Sequence, residues 1–367
     1  MLVSFLIGVG TVCAITTFLA LLMIIADATI ANYGDVTITV NDEKKFESAG
    51  GKPLLSALKE HDIFIPSACG GRGSCGLCKV KVTSGAGDFL PTELPWLSDE
   101  EKKEHIRLSC QLKVKRDFSI YVPEELLSVK EYRAQVRTIR DLTADIKEIV
   151  LELVDPTEIE FRAGQFIQFE VPPYELTDEP VYRAYSIASP PSQKTRLELQ
   201  VRLVEYGICT TYIFKYLKEG DKLTVNGPYG QFYLRNSARD IIFIAGGTGM
   251  APIKSILCDM AEKQNNRNAR YFYGARTAQD LLSLDEMEEL QEALPNFKFI
   301  PALSEPLPDD NWRGETGLIT DVVHRHVQSG ENIEAYLCGS PAMIDACIEV
   351  LSAKGVPEEL IFYDKFT

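Results

Sequence analysis

From Leu2 to Ile25 the chain reads LVSFLIGVGTVCAITTFLALLMII, an apolar run without a single charge. At about 1.5 Å per residue a helix over this run is about 36 Å long, enough to cross the hydrocarbon core of a bilayer. Ala26-Asp27-Ala28 resembles the small-x-small site of a cleaved signal peptide. The run has no basic n-region, however, and exceeds the usual h-region of roughly 7–15 residues. The pattern therefore predicts a retained single-pass anchor over 1–30.

Beyond the anchor the periodicity changes. Asp35–Asn41 (DVTITVN) alternates apolar and polar, the signature of a half-buried strand ending in an Asn-Asp turn. Lys52–His61 predicts a short helix with Leu54, Leu55 and Leu58 on one face. A Gly- and Cys-rich loop, the strand Lys79–Val82 and a Gly85/Gly87 turn complete a sheet-plus-helix module ending near Pro123. From Tyr132 to Leu234 short strands dominate: Ala134–Ile139, Lys147–Leu153, Gln165–Val171, Leu197–Val204 and Lys222–Val225. Their even spacing, punctuated by Gly and Pro, predicts a barrel. From Asp240 apolar strands (Ile241–Ala245, Arg270–Tyr273, Lys298–Ala302, Ala335–Cys338) alternate with helices (Pro252–Lys263, Leu284–Leu294, Leu318–Val327, Met343–Lys354). That alternation predicts a parallel, doubly wound sheet. The expected fold is multidomain, α+β and α/β, divided as 1–30, 34–127, 130–235 and 238–367. No internal repeat interrupts this order.

Composition narrows the function. The formal net charge of −15 argues against a nucleic-acid partner, since phosphate binding needs a basic surface. The nine cysteines are odd in number, and three of them crowd into ten residues, which is not a disulfide framework. Cys69-x5-Cys75-x2-Cys78, followed by the distant Cys110, supplies four thiolates in a loop holding Gly70, Gly71, Gly73 and Gly76. Glycines let a loop curl around an iron–sulfur cluster and aim backbone N–H groups at its sulfurs. Structural zinc is the alternative, but it usually presents two CxxC-like knuckles, and Cys110 has no near partner. The plant-type spacing has four residues between the first two cysteines, where this chain has five.

Arg183-Ala184-Tyr185-Ser186 closes a strand and offers a positive fork for a diphosphate, an aromatic platform and a hydroxyl. Arg202, Gly207-Ile208-Cys209-Thr210 and Gly227-Pro228-Tyr229-Gly230 follow in order. Gly246-Gly247-Thr248-Gly249-Met250-Ala251-Pro252 lies between a strand and a helix, where a pyrophosphate can approach the backbone and the helix N-terminus. After Tyr273-Gly274-Ala275, Arg276 stands beside Asp280 without the basic cluster expected for a 2′-phosphate, which favours NADH over NADPH. His324 and His326, two apart on a helix, face different directions, so a solvated helix face is expected rather than a metal site.

With these motifs in this order, followed by YGAR, CGSP and a C-terminal aromatic, the chain resembles the ferredoxin-NADP-reductase superfamily fused to a ferredoxin. More narrowly it resembles the family of F subunits of Na+-translocating NADH:quinone oxidoreductases. It shares that family's N-terminal transmembrane helix, its five-residue cysteine spacing and a stretch like GDFLPTEL at 87–94. The family carries a longer insertion before RAYS, where only Pro172–Tyr182 intervene here. In that region, and in VNGPYGQFYLRNS, the chain is more similar to soluble reductases of multicomponent aromatic oxygenases.

The resemblance implies a β-grasp ferredoxin domain, an antiparallel FAD-binding barrel and a doubly wound NADH-binding domain. It implies that Cys69, Cys75, Cys78 and Cys110 hold a [2Fe-2S] cluster. It places Arg183 on the FAD phosphates, Tyr185 on the isoalloxazine and Ser186 near flavin N5, with Arg202 among the cofactor-binding residues. Thr210 and the Gly207 backbone would meet the FAD pyrophosphate, and Gly247, Thr248 and Gly249 that of NADH. Cys338 would orient the nicotinamide, and Phe366 would cover the flavin until the nicotinamide displaces it. The implied activity is electron transfer from NADH through FAD to the cluster. The acceptor would be other membrane subunits of a respiratory complex or, alternatively, a downstream electron-acceptor protein such as an oxygenase. No Lys or Arg precedes Lys44, so orientation rests on NADH being cytosolic. The expected location is the inner membrane, with the soluble domains facing the cytoplasm.

Overall fold

The computed structural model describes residues 2–30 and 33–366, with side chains described for 7–24 and 33–366. The chain divides into two compact units, residues 1–65 with 71–128 and residues 66–70 with 129–367.

In the first unit, α1 (Leu2–Ile30) contains one stretch, Ile7–Ile24, long and apolar enough to cross a membrane, and none of it is buried. Its hydroxyls turn back on the helix. Thr11 donates to the Ile7 carbonyl at 2.8 Å and Thr16 to that of Val12 at 2.9 Å, which satisfies them without water. The globular part is a mixed sheet of β1 (Asp35–Val40), β2 (Lys44–Ala49), β3 (Lys79–Ser84), β4 (Ile106–Leu108) and β5 (Phe118–Tyr121). The spatial order is β2-β1-β5-β3-β4, with β1 and β5 parallel and the other pairs antiparallel. Short helices α2 (Leu54–Lys59), α3 (Asp99–Lys103) and α4 (Glu124–Leu127) accompany it. The alternation in β1 buries Val36, Ile38 and Val40, as the sequence predicts. On α2 the buried residues are Leu54, Ala57 and Leu58; Leu55 is only half-buried. Ala57 and Leu58 stand three and four residues after Leu54, on its face, whereas Leu55 is turned about 100° away. The edge strand β2 (KKFESA) was not expected, because its outward polar residues and lysines hide the period of two.

The second unit opens with six antiparallel strands: β6 (Lys130–Asp141), β7 (Ile146–Asp155), β8 (Phe166–Val171), β9 (Val181–Ser186), β10 (Arg196–Arg202) and β11 (Lys222–Tyr229). In the order β10-β7-β6-β11-β8-β9 the two ends of the sheet meet at a bridge between Ile187 and Leu199, which closes the predicted barrel. Leu197, Leu199 and Val201 alternate into its core with Ile149 and Leu151. β10 stops at Arg202 rather than Val204, because the Thr210 hydroxyl both accepts from the Val204 N–H and donates to its carbonyl (3.1 Å each). That turn leads into α5 (Ile208–Lys215), a helix that the sequence pattern does not predict.

The remainder is a six-stranded, wholly parallel sheet of β12 (Asp240–Gly246), β13 (Ala269–Ala275), β14 (Phe297–Leu303), β15 (Glu315–Thr316), β16 (Ile333–Gly339) and β17 (Ile361–Lys365). Helices α6 (Met250–Glu262) and α7 (Leu284–Ala293) pack on one face, and α8 (Ile319–His326) and α9 (Pro341–Ala353) on the other. The order β15-β14-β13-β12-β16-β17 reverses direction at β12, the switch point where such sheets bind ligands. The histidine pair needs one correction. His324 is exposed, but His326 is half-buried, edge-on to Phe272 and 2.7 Å from Glu315 Oε1. With Arg325, it holds the Glu315 carboxyl below the ordinary carboxylate range.

Candidate redox and nucleotide sites

The cysteine loop is built from glycines in the left-handed region: Gly70 (φ +65°), Gly71 (+86°), Gly73 (+76°) and Gly76 (+67°). A Cβ on any of these would strain that backbone. Cys75, Cys78 and Cys110 belong to the first unit; Cys69 lies in the 66–70 segment of the second. Cys69, Cys78 and Cys110 are buried and Cys75 is half-buried, and all nine cysteines are free of disulfides. A hydrogen bond donated to Cys110, then burial, push the Cys78 thiol far up. A buried thiol pair such as Cys78 and Cys110 fits soft-metal ligation, which removes the protons.

Upstream of Cys110 the loop is braced by a buried ion pair, Glu93 and Arg107, that sequence reasoning missed. Arg107 donates to Glu93 through Nε at 3.0 Å and Nη2 at 2.5 Å, and to the carbonyls of Gly87 (3.1 Å) and Asp88 (2.9 Å). Glu93 also accepts from the N–H groups of Leu108 (2.9 Å) and Leu90 (3.0 Å). The GDFLPTEL stretch is thereby tied to β4, and Trp96 lies against Gly76, where a Cβ would come within 2.8 Å of its ring. The signal was present as a charge inside an otherwise apolar and turn-forming stretch, but its partner lies 14 residues on.

On the barrel, β9 carries Arg183 and Tyr185 half-buried and Ser186 buried. Arg183 Nη1 donates to the Tyr182 carbonyl at 2.7 Å, which fixes its fork. Within the second unit Gly70 comes so close that a Cβ would stand 2.4 Å from that Nη1. Tyr185 packs edge-on against Phe169 at 6.1 Å, and burial raises its phenol. Thr210 and Gly207 are together at the start of α5, although the Thr210 hydroxyl is engaged by Val204 and Gly207. A planar flavin fits a half-buried strand bearing a fork, a ring and a hydroxyl in four successive residues.

At the switch point of the parallel sheet the Gly-rich turn and Cys338 meet. Ala245 pairs in register with Cys338, and a Cβ on Gly249 would lie 2.2 Å from the Cys338 carbonyl oxygen. Gly247 (φ +55°) accepts a hydrogen bond from the Tyr273 hydroxyl at 3.1 Å. Arg202 pairs with Asp145 at 2.7 Å and approaches Gly247, placing a cation beside the turn. Backbone N–H groups and this cation fit a pyrophosphate. Cys338 is fully buried, and burial, then the charge of Asp364, raise its thiol. Asp364, not singled out from the sequence, stands directly opposite it in register on β17, and burial pushes its carboxyl up to about 6. Phe366 follows, its N–H donating to the Gly339 carbonyl at 2.9 Å.

Three family models match in succession. A 2Fe-2S iron-sulfur cluster binding domain covers 38–115, an oxidoreductase FAD-binding domain 133–233 and an oxidoreductase NAD-binding domain 243–349. Among curated proteins, the F subunit of the Na(+)-translocating NADH-quinone reductase of Neisseria meningitidis is 39% identical over 98% of both chains. Its counterpart in Actinobacillus succinogenes is 37% identical over 99% of both. The first alignment runs over 399 positions, 32 more than this chain has residues, so it opens gaps here. Of solved structures, the Amycolatopsis cytochrome P450 reductase GcoB is 29% identical with a TM-score of 0.74, covering 90% of this chain and 99% of that one. The ferredoxin reductase in carbazole 1,9a-dioxygenase is 26% identical with a TM-score of 0.70, covering 91% and 98%. With a ferredoxin, a flavin barrel and a nicotinamide sheet in this order, and full-length identity near 39%, the chain belongs to the family of F subunits of the Na(+)-translocating NADH-quinone reductase and is an NADH-dependent flavin iron–sulfur oxidoreductase.

Proposed function

We propose that this chain is the electron-input component of a membrane respiratory complex, anchored in the inner membrane by α1 with its soluble units in the cytoplasm. The observation that carries the reading is the meeting of the Gly-rich turn with Cys338 at the switch point, in a chain that also holds the cysteine loop and RAYS strand. FAD accepts a hydride and can release its electrons singly, and a [2Fe-2S] cluster carries one electron at a time.

The chain's own residues bind and orient. Cys69, Cys75, Cys78 and Cys110 hold the cluster. Arg183 takes the flavin diphosphate, Tyr185 offers its ring face and Ser186 stands near N5. The N-terminal turn of α5, from Gly207 to Thr210, and Arg202 complete the phosphate contacts. Gly247, Thr248 and Gly249 take the pyrophosphate of NADH. Cys338 and Asp364 would flank the nicotinamide, and Phe366 would cover the flavin face until the nicotinamide displaces it.

Anaerobic titration of the detergent-purified chain with NADH tests this. Bleaching of the flavin bands together with loss of the broad iron–sulfur absorbance is expected; folded protein without either absorbance overturns the assignment. The short approach to RAYS and the likeness to GcoB favour a second reading, a membrane-tethered reductase serving an oxygenase. Co-purification with multi-span membrane proteins supports the first reading, and isolation with a soluble oxygenase supports the second.

A further inference from the structure

We propose that Lys254 is a positioning residue for hydride transfer, its ammonium setting the register of the parallel sheet's Gly-rich turn on the flavin-binding barrel. The inference rests on the reading that this turn carries NADH.

Along β10, Leu197, Leu199 and Val201 enter the barrel core, so Glu198, Gln200 and Arg202 form a row on the opposite face. Glu148 of β7 stands opposite Gln200 in register. Against this row come Lys254 of α6 and Glu286 of α7, both from the parallel sheet's side. Lys254 Nζ donates to Glu198 Oε1 at 2.7 Å and to Glu286 Oε1 at 2.6 Å, and its side chain is 6% exposed. One carboxylate oxygen from each of Glu148, Glu198 and Glu286 lies within 4.8 Å of the others. The ammonium sits between Glu198 and Glu286 and is the cation that holds them together. Gln200, 3% exposed, has neither amide atom hydrogen-bonded among the described residues.

Such a seam is a poor way to gain stability, since a desolvated ion pair contributes less than apolar packing of the same volume. Apolar packing was available beside it: Ile146 of β7 already lies in the core formed with α6 and α7. What a buried pair does supply is one allowed register. The row reaches the nucleotide turn itself, because Arg202, four residues from Glu198, approaches Gly247, and Lys254 follows Gly249 by little more than one helical turn. The seam therefore links the strand behind RAYS to the turn proposed for NADH. A donor–acceptor misplacement of about 1 Å is enough to cost on the order of a hundredfold in rate.

The test uses the full-length holoprotein in detergent, with rapid anaerobic mixing against NADH while flavin absorbance is followed. Lys254→Met leaves Glu198 and Glu286 without the ammonium that bridges them, while Glu148 keeps Arg140 at 3.0 Å, and is expected to fold poorly. The paired change Lys254→Met with Glu198→Gln leaves the net charge of the seam unchanged and keeps the question open. In that variant we expect full flavin and cluster content and an NADH dissociation constant within about threefold of wild type. The limiting rate of flavin reduction falls by about tenfold or more, and amide exchange rises in β10 and α6. Lys254→Arg, which keeps a cation between both carboxylates, recovers the rate to within about threefold. A lowered melting temperature with a wild-type rate per bound flavin means a purely structural lysine and overturns the proposal. Wild-type protein that NADH fails to reduce instead overturns the parent reading.

Discussion

Asp364 shows how a single buried carboxyl couples stability to pH. Burial raises it from 3.8 to about 6, so the folded state holds its proton more tightly than the unfolded chain does. Its contribution is therefore most favourable below about 3.8 and is lost as pH rises through about 6. Asp364→Asn removes this loss: the variant should melt higher than wild type at about pH 8 and together with it at about pH 4, by calorimetry at both values. A variant that melts lower at the higher pH would mean the carboxylate is stabilising there. Cys338→Ala should fold normally but slow flavin reduction by NADH by about tenfold, because it leaves a gap where the nicotinamide must be held. The loop carrying Cys69, Cys75, Cys78 and Cys110 stood out from spacing and glycine content alone. Asp364 was not, since only the register of β17 on β16 brings it opposite Cys338.

At the scale of elements, the segment from Gly87 to Trp96 behaves as a brace for the cysteine loop. Glu93 is fully buried and accepts from Arg107 and two backbone N–H groups, so Glu93→Ala strands a buried guanidinium. Loss of about 3–5 kcal/mol is expected. It should be read as an earlier urea midpoint for the iron–sulfur absorbance, with the flavin transition unmoved. Coincident shifts in both transitions would instead place the brace in a larger cooperative block. The long parallel strands and their helices were foreseen because both periodicities were sustained. β2, β15 and β17 were not: one is a polar edge, one is two residues long and one mixes charge with aromatics. α5 escaped because eight residues beginning after a glycine read as a phosphate-binding turn before they read as a helix.

For the molecule as a whole, the order of apolar helix, sheet-plus-helix module, barrel and doubly wound sheet was readable from the switch between periods of two and 3.6. The apolar helix α1 makes a separate prediction. None of Ile7–Ile24 is buried, so the rest of the chain does not depend on it for a core. A version starting at Tyr33 should remain in solution without detergent and retain its flavin and cluster absorbance, whereas the full chain floats with liposomes. A truncated protein that aggregates or loses its cofactors would show that α1 is part of the fold.

The contact between Gly249 and the Cys338 carbonyl has a bearing on how such chains can be recombined. The two motifs are far apart in sequence, yet a Cβ on one would occupy the oxygen of the other. The fit of the turn therefore depends on where the backbone at Cys338 lies. A hybrid that takes its first two parallel strands from one parent and its last two from another inherits two half-sites shaped for different backbones. Crossovers placed before β12 should give folded, nucleotide-binding hybrids, and crossovers between α6 and β16 should give proteins that keep flavin but no longer accept electrons from NADH.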